Sequence, residues 1–345
     1  MKVIAAAATL ATASAQFDLN GNHAVELKWN QWRLQFPKEY ASDAHLVEAK
    51  VNFIATEARI VAHNAKGLSW TNAHNQFSDM TPEQFKAFVS SPMPKRATLD
   101  YATLPVIQNQ ANQSLDWTTK GAVTPVKNQA QCGGCWAFSS TGATEGALFV
   151  ASGKLTSLSE EQLIQCENKA HGGSDMGCNG GLMDSAFEWY AAGNGPCTEE
   201  AYPYTSGSGT TGTCKGKAHC SAAAKVTGHK DVETEAQLMA AVDIGPVSIA
   251  VEADKSVFQS YSKGVIDSKA CGKQLDHGIL LVGYGTSGKG PKGNTLPYWK
   301  IKNSWGATWG EEGYVRFVRD KDQCGIADGP PSYPTGVSAS GVTFM

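Results

Sequence analysis

The chain has 345 residues, 41% apolar and 18% charged, and that length suggests two folding units of about 150 residues each. Its 29 Lys and Arg against 32 Asp and Glu leave a net charge of -3, with no run of five like charges to serve nucleic acid or an anionic membrane surface. Collagen-like, disordered and multi-span membrane proteins are excluded by this composition.

Lys2, the apolar run Val3 to Ala13 and the A-x-A site Ala13-Ser14-Ala15 read as a secretory signal over residues 1–15, since the run falls well short of the about 18 apolar residues of a membrane span. No later stretch is long enough to span either. Residues 16–110 contain no cysteine, whereas all nine cysteines fall between 132 and 324. The first region reads as largely helical. Val25, Leu27, Trp29 and Trp32 open one helix, and Leu46, Val47, Phe53, Ile54, Ile60 and Val61 form an apolar face at three-and-four spacing. Thr81-Pro82-Glu83-Gln84 combines a cap, a first-turn proline and a capping box. Leu104 to Gln113 is expected to be an extended linker.

Further on, Cys135 to Ser152 predicts a helix rich in Ala and Ser, Ser159-Glu160-Glu161-Gln162 caps another, and Leu182 to Ala192 forms a third, stopped by Gly193-Asn194-Gly195. Thr205 to Thr213, built of Gly, Ser and Thr, reads as a flexible loop. Thr234 caps a short helix ending at Gly245-Pro246. Strands follow over Val247 to Val251, Gly278 to Tyr284, Trp299 to Lys302 and Gly313 to Val318. Helices first and strands later indicate an α+β arrangement of two packed halves.

Nine cysteines in an oxidising compartment leave at least one without an intramolecular partner. The densest signal is Val126-Lys127-Asn128-Gln129-Ala130-Gln131-Cys132-Gly133-Gly134-Cys135-Trp136-Ala137-Phe138-Ser139. Cys132 and Cys135 have the spacing of a thioredoxin-like pair, but no βαβ unit surrounds them. A zinc ribbon needs a second close Cys or His pair, which the sequence lacks. The remaining reading is a nucleophilic thiol: Cys135 begins a helix, whose amides and dipole favour the thiolate.

His277, in Leu275-Asp276-His277-Gly278-Ile279, follows Cys135 by about 140 residues, and Asn303 follows in Lys302-Asn303-Ser304-Trp305-Gly306. With these three motifs in this order, the chain resembles the papain family of cysteine proteases, in its cathepsin L-like branch. The resemblance implies a papain-like two-lobed α+β fold, a helical lobe and a β-barrel-like lobe with a cleft between them, preceded by a helical propeptide. Residues 1–15 would be the signal, 16–110 an inhibitory propeptide and 111–345 the peptidase. Cys135 and His277 would form a thiolate–imidazolium pair, Asn303 would orient the ring, Trp305 would shield that hydrogen bond and stand on the leaving-group side, and Gln129 would serve the oxyanion. Gly180 and Gly181 would pair with an extended peptide. Leu182, Met183, Ala250, Leu275 and Gly278 would line an uncharged S2 pocket, with Gly329 or Pro330 near its floor. Gly134 departs from the family's Ser or Ala, and Asp328-Gly329-Pro330-Pro331 is one residue longer than the usual ending.

The same resemblance pairs Cys132 with Cys178, Cys166 with Cys214 and Cys271 with Cys324. It leaves Cys197 and Cys220 as a further bridge, with exchange with Cys214 open, and Cys135 as the odd thiol. In the propeptide, Phe53, Ile60 and Asn64 fit the family's helical pattern, and Asn75-Gln76-Phe77-Ser78-Asp79 fits its shorter motif, while His45, Ala49 and Thr56 depart from it. Maturation is expected near Gln110-Ala111, and Asn112-Gln113-Ser114 is a glycosylation sequon. Acid is expected to release the propeptide by protonating paired carboxylates, Asp79 first among them. No cofactor or metal is implied. The expected partners are protein and peptide substrates and the chain's own propeptide, not nucleic acid. A monomer in an extracellular or lysosome- or vacuole-like compartment is expected. An inactive binding relative and a thiol oxidoreductase are the rival readings.

Overall fold

The computed structural model describes residues 23–89, 93, 99–106, 113–291, 293–329 and 331–340. The expected signal segment, the Gln110-Ala111 maturation point, Asn112 of the sequon and Pro330 lie outside the described residues. The N-terminal region begins with two helices, α1 (23–35) and α2 (Asp43–Asn64), the second capped by Ser42, whose Oγ accepts from the His45 N–H at 3.2 Å. Trp29, Trp32, Phe36, Ala49 and Phe53 form a core of their own between them. The expected apolar face of α2 is half right. Phe53 and Ile60 are buried, but Val47, Ile54 and Val61 are exposed, and Asn52 and Thr56 take inward places. The two apolar stripes are rotated by one residue, about 100°, and the Phe53 stripe turns inward because the indoles of α1 meet it there. The inward polar groups are satisfied: Asn52 Nδ2 donates to Asp79 O (3.1 Å) and Thr56 Oγ1 to Asn52 O (2.9 Å).

A short strand β1 (Trp70–Asn72) and helix α3 (Pro82–Val89) follow. The capping box forms as expected, with Thr81 N–H on Gln84 Oε1 (2.8 Å) and Gln84 N–H on Thr81 Oγ1 (3.1 Å). Residues 102–106 carry no helix or strand, and Asp100 to Ala102 bond to Asp231 on both sides: Asp231 N to Asp100 O (2.9 Å) and Ala102 N to Asp231 O (2.8 Å).

Then come β2 (Leu115–Asp116), the central helix α4 (Cys135–Ser152), α5 (Glu160–Cys166) and α6 (Met183–Ala191). Small residues let α4 lie deep in the molecule, and its hydroxyls are internally satisfied, as Ser140 Oγ on Trp136 O (2.7 Å) and Thr144 Oγ1 on Ser140 O (2.8 Å) illustrate. Gly153 ends it in the left-handed region, φ 71°. Ser159 caps α5 through the Gln162 N–H (3.0 Å).

The second half holds β3 (Ala224–Lys225), β4 (Gly228–Asp231), α7 (Glu235–Ile244), β5 (Val247–Val251), α8 (Ser256–Gln259), β6 (Tyr261–Ile266), β7 (His277–Thr286), β8 (Pro297–Lys302), β9 (Tyr314–Val318), β10 (Ser332–Thr335) and β11 (Ser338–Ala339). Thr234 precedes α7, but its hydroxyl caps no backbone N–H and donates instead to Gln237 Oε1 at 3.3 Å. The main sheet runs β1-β6-β9-β8-β7-β5-β10-β4, so a strand of the N-terminal region extends its edge, Trp70 opposite Gly264.

Strand β7 divides the two lobes. Ile279 and Leu281 enter the core of the sheet-rich lobe, and Leu280 and Val282 enter the core that packs on Trp136, Ile164 and Phe187. Period-two alternation thus serves both sides of one strand. The Thr205–Thr213 loop is not loose as expected: buried Glu161 accepts from Thr205 N (2.9 Å), Ser206 N (3.0 Å) and both hydroxyls (2.7 and 2.9 Å). A Gly-rich composition shows the turns but not the carboxylate that pins them.

Candidate active site

The division made by β7 places the central pair. Cys135 is the first residue of α4, at the helix end where N–H groups lack intrahelical partners. The Gly278 N–H of β7 donates to Cys135 Sγ at 3.3 Å. His277, the neighbouring residue of that strand, hydrogen-bonds through Nε2 to Asn303 Oδ1 at 2.8 Å. Asn303 Oδ1 also accepts the Ser304 N–H (2.8 Å), and the Trp305 indole stacks on the imidazole, centroids 4.7 Å apart. Strand β7 thus brings Gly278 onto the Cys135 thiol and His277, the adjacent residue, onto Asn303, which joins three separate stretches of sequence.

Cys135 and His277 are both 1% exposed. Burial pushes the thiol up to about 11 and His277 down to about 4, the latter against the hydrogen bond from Asn303. Desolvation in this closed form therefore acts against both charged forms, against the thiolate and against the imidazolium. The N-terminal region contributes to the cover. Phe77, Phe85 and Phe88 set their rings against Trp305, 5.3 to 6.4 Å between centroids, and Gln76 Nε2 donates to Trp305 O at 2.6 Å. Met93 packs on the other lobe's core, which contains Met183 and Ala250.

Gln129 lies beside the thiol's helix, held from both lobes. Its Nε2 donates to Cys132 O (3.0 Å), and its Oε1 accepts from Ser304 Oγ (2.6 Å). A buried ion cluster, which the motif reading missed, fixes the segment carrying Gln129 to α4. Lys127 Nζ reaches Glu160 (2.7 Å) and Glu145 (3.3 Å), and Thr141 Oγ1 donates to Glu160 (2.5 Å). Its signal was Lys127, two residues before Gln129, and Glu145, the one charge in a helix otherwise small and apolar.

Gly134 has a structural reason for departing from Ser or Ala: a Cβ there would stand 2.8 Å from Ile164 Cδ1. Gly181 is required from behind, since a Cβ would meet the Trp136 indole at 2.6 Å, and Gly180 has φ 109°. Met183, Ala250 and Leu275 belong to one apolar cluster, with Leu182 half-buried beside them. A side chain on Gly329 would run into Leu275 and meet Ala250, which puts Gly329 at the base of that group. Asp328 at its edge is paired with Lys273 at 3.3 Å.

Disulfides join Cys132 to Cys178, Cys166 to Cys214, Cys197 to Cys220 and Cys271 to Cys324, and Cys135 is free. Cys132 is thus committed elsewhere, and no Cys132–Cys135 dithiol exists for redox exchange. Among the described residues, Asp184, His229 and Asp231 bring one possible metal-ligating atom each within 4.8 Å of one another. Asp231 there also accepts the Asp100 N–H at 2.5 Å, so this cluster is engaged by the N-terminal region. No helix of the described residues is long and apolar enough to cross a membrane.

A free thiol at a helix N-terminus, flanked by a histidine on a strand of the opposite lobe and covered by an N-terminal helical region, defines a thiol protease in zymogen form. The profile of the papain family cysteine proteases matches residues 111–335, and that of the cathepsin propeptide inhibitor domain (I29) matches residues 29–85. The chain belongs to the papain family. It is 39% identical over 330 residues to a senescence-specific cysteine protease of Oryza sativa, covering 92% of each chain, and 38% identical over 333 residues to procathepsin L of Mus musculus, covering 94% and 95%. Among solved structures, digestive procathepsin L 3 of the Tenebrio molitor larval midgut matches with TM-score 0.78 at 36% identity, over 90% of this chain and 98% of that one. Recombinant stem bromelain precursor matches with TM-score 0.76 at 33% identity, over 90% and 99%.

Proposed function

We propose that the chain is a secreted cysteine endopeptidase, made as a zymogen whose residues 16–110 occlude the site and whose residues 111–345 hydrolyse internal peptide bonds of proteins. The observation that carries this reading is that adjacent residues of β7 reach the two halves of the set, Gly278 N–H on the buried Cys135 Sγ and His277 Nε2 on Asn303 Oδ1. Once the N-terminal region leaves, water reaches the site and the desolvation that disfavours both charged forms is relieved. His277 then takes the proton of Cys135, and the thiolate attacks the scissile carbonyl carbon. The oxyanion accepts from the Cys135 backbone N–H and from Gln129 Nε2, which has a second N–H beyond the one given to Cys132 O. The C–N bond breaks, His277 protonates the leaving amine, and a thioester remains on Cys135. Water, deprotonated by His277, releases the acid and restores the thiol. Asn303 Oδ1 holds the ring in register throughout, and Trp305 keeps water from that hydrogen bond. Each chain carries the whole set, so a monomer suffices.

Gly180 and Gly181 offer backbone to an extended substrate, and Met183, Ala250 and Leu275 receive an apolar or aromatic P2 residue. An Arg at P2 would be desolvated without a free carboxylate, because Lys273 already holds Asp328. The four disulfides and the N-terminal signal fit the secretory pathway and an extracellular or lysosome-like destination.

The test is acidification of the pure zymogen. The wild-type chain should lose its N-terminal region and then cleave a peptide library with apolar P2, whereas Cys135→Ala should stay intact. Maturation of Cys135→Ala without added protease would contradict self-processing, and strong selection of Arg at P2 would contradict the pocket.

A further inference from the structure

Arg59 and His63 lie four residues apart on the last two turns of α2, and Lys66 follows three residues later in the turn just past the end of the helix. They line a cavity of about 370 Å³ whose other walls come from Trp70 and Asn72 of the N-terminal region and from the stretch 256–270 of the catalytic region, with the hydroxyls of Ser256, Ser260 and Ser268. Among the described residues lining it there is no carboxylate. Arg59 gives one N–H to Thr56 Oγ1 (2.7 Å) and is attracted by Glu83. His63 Nε2 meets Trp70 O at 3.3 Å, and Lys66 opposes its protonation. The Trp70 indole N–H is buried and finds no acceptor among the described residues.

Cations near a helix C-terminus complement its dipole. That accounts for His63 and Lys66, but not for Arg59 on the same cavity or for the lack of any carboxylate among the described residues lining it. A guanidinium, an ammonium and an imidazole around one space, with serines in its opposite wall, are a donor set for a tetrahedral oxyanion. The volume is that of a small-molecule site rather than of a bare ion.

We propose that this cavity binds the phosphate or sulfate group of a small anionic ester, and that the bound anion fastens the N-terminal region to the catalytic region. Both walls are needed to form the cavity, so the ligand binds the docked state alone. Ligand at ten times its dissociation constant strengthens docking about 11-fold. The fastening rests on the propeptide reading above; the binding does not.

The test uses the full-length Cys135→Ala chain with labelled tryptophan, titrated with inorganic phosphate, inorganic sulfate and glucose 6-phosphate at an ionic strength held constant with chloride. The expected result is a saturable shift of the Trp70 indole N–H signal and a higher titration midpoint for His63, which faces Arg59 from its own helix, Lys66 from the turn past it, and the Trp70 carbonyl and hydroxyls from the other walls. Tighter binding of glucose 6-phosphate identifies an ester ligand, and equal binding identifies the free oxyanion. Lys66→Gln, at an exposed position, should weaken binding severalfold, and Arg59→Gln with Lys66→Gln at least tenfold. In the active chain, phosphate at ten times its dissociation constant should slow acid maturation about tenfold. No saturable shift, or unchanged affinity in both variants, overturns the site. Saturable binding with unchanged maturation overturns the fastening. An active chain that keeps its N-terminal region and yet cleaves peptides at neutral pH would instead contradict the propeptide reading.

Discussion

Residues 23–64 and residues 70–89 are both held by buried aromatic rings, but against different partners. The first part closes on itself, with Trp29, Trp32, Phe36 and Phe53 in a core separate from the rest of the molecule. The second part has almost no core of its own: Trp70, Phe77, Phe85 and Val89 are buried in the core of the sheet-rich lobe. Asn75 Nδ2 bonds Gln259 O (2.7 Å), while Gln259 Nε2 bonds Phe77 O (3.2 Å) and Met80 O (3.0 Å). The first part is therefore a scaffold and the second the element that covers the site. Asp79 joins the two, through Lys38 Nζ (2.6 Å) and Tyr40 OH (3.0 Å), and its partners all lie in the N-terminal region. Between the second part and the catalytic region the ion pair is Lys86 of α3 with Asp254, at 2.9 Å.

This contrast is broken most strongly by Phe85→Ala. Phe85 is fully buried against Trp305, and its loss should cost about 3–5 kcal/mol of docking and packing. Acid maturation should then be much faster, with activity leaking at neutral pH, as a progress curve on a peptide substrate would record. An unchanged maturation rate would mean that the second part does not hold the cover.

A smaller effect, about 1–3 kcal/mol, is expected from Gly134→Ser, where the new Cβ presses on Ile164. Ile164→Val should restore part of the lost melting temperature, and a Gly134→Ser chain as stable as the parent would remove the steric reason given for the glycine.

Lys86→Ala tests the pH response. Burial raises the Asp254 pKa, but hydrogen bonds and charge from Lys86 and Lys255 more than offset this, and its value lies below the ordinary one. A depressed carboxylate contributes stability at neutral pH that is lost as pH falls through the depressed value, here below about 4. Removing Lys86 raises that value and should move maturation toward neutral pH, by a modest amount because Lys86 is half exposed and Lys255 remains. A shift toward more acid pH would have the wrong sign. Least affected should be Leu34→Gln: Leu34 is 85% exposed on the scaffold, and stability should change by no more than about 0.5 kcal/mol.

The parts legible in sequence were those set by local chemistry. The Thr81 capping box, the Ser159 cap, the extent of α4 and the β5 strand all follow from neighbours within a few residues, and the structure forms them as read. What sequence could not supply was set by distant partners. Val47, Ile54 and Val61 are as apolar as Phe53 and Ile60, and only the indoles of α1 decide which stripe turns inward. Glu161 pins a loop more than 40 residues away, and Lys127, Glu145 and Glu160 meet across three segments. The motif residues Cys135, His277 and Asn303 were visible as a set, but their burial was not, because it arises under a region that folds against them.

The most direct test of the central claim is the rate at which a thiol-reactive peptide labels Cys135 at neutral pH, before and after acid removal of the N-terminal region. A buried thiol under the N-terminal cover predicts almost no labelling of the intact chain and rapid, single-site labelling at Cys135 once the cover is gone. Rapid labelling of the intact chain, or an unreactive Cys135 in the processed protein, would contradict it.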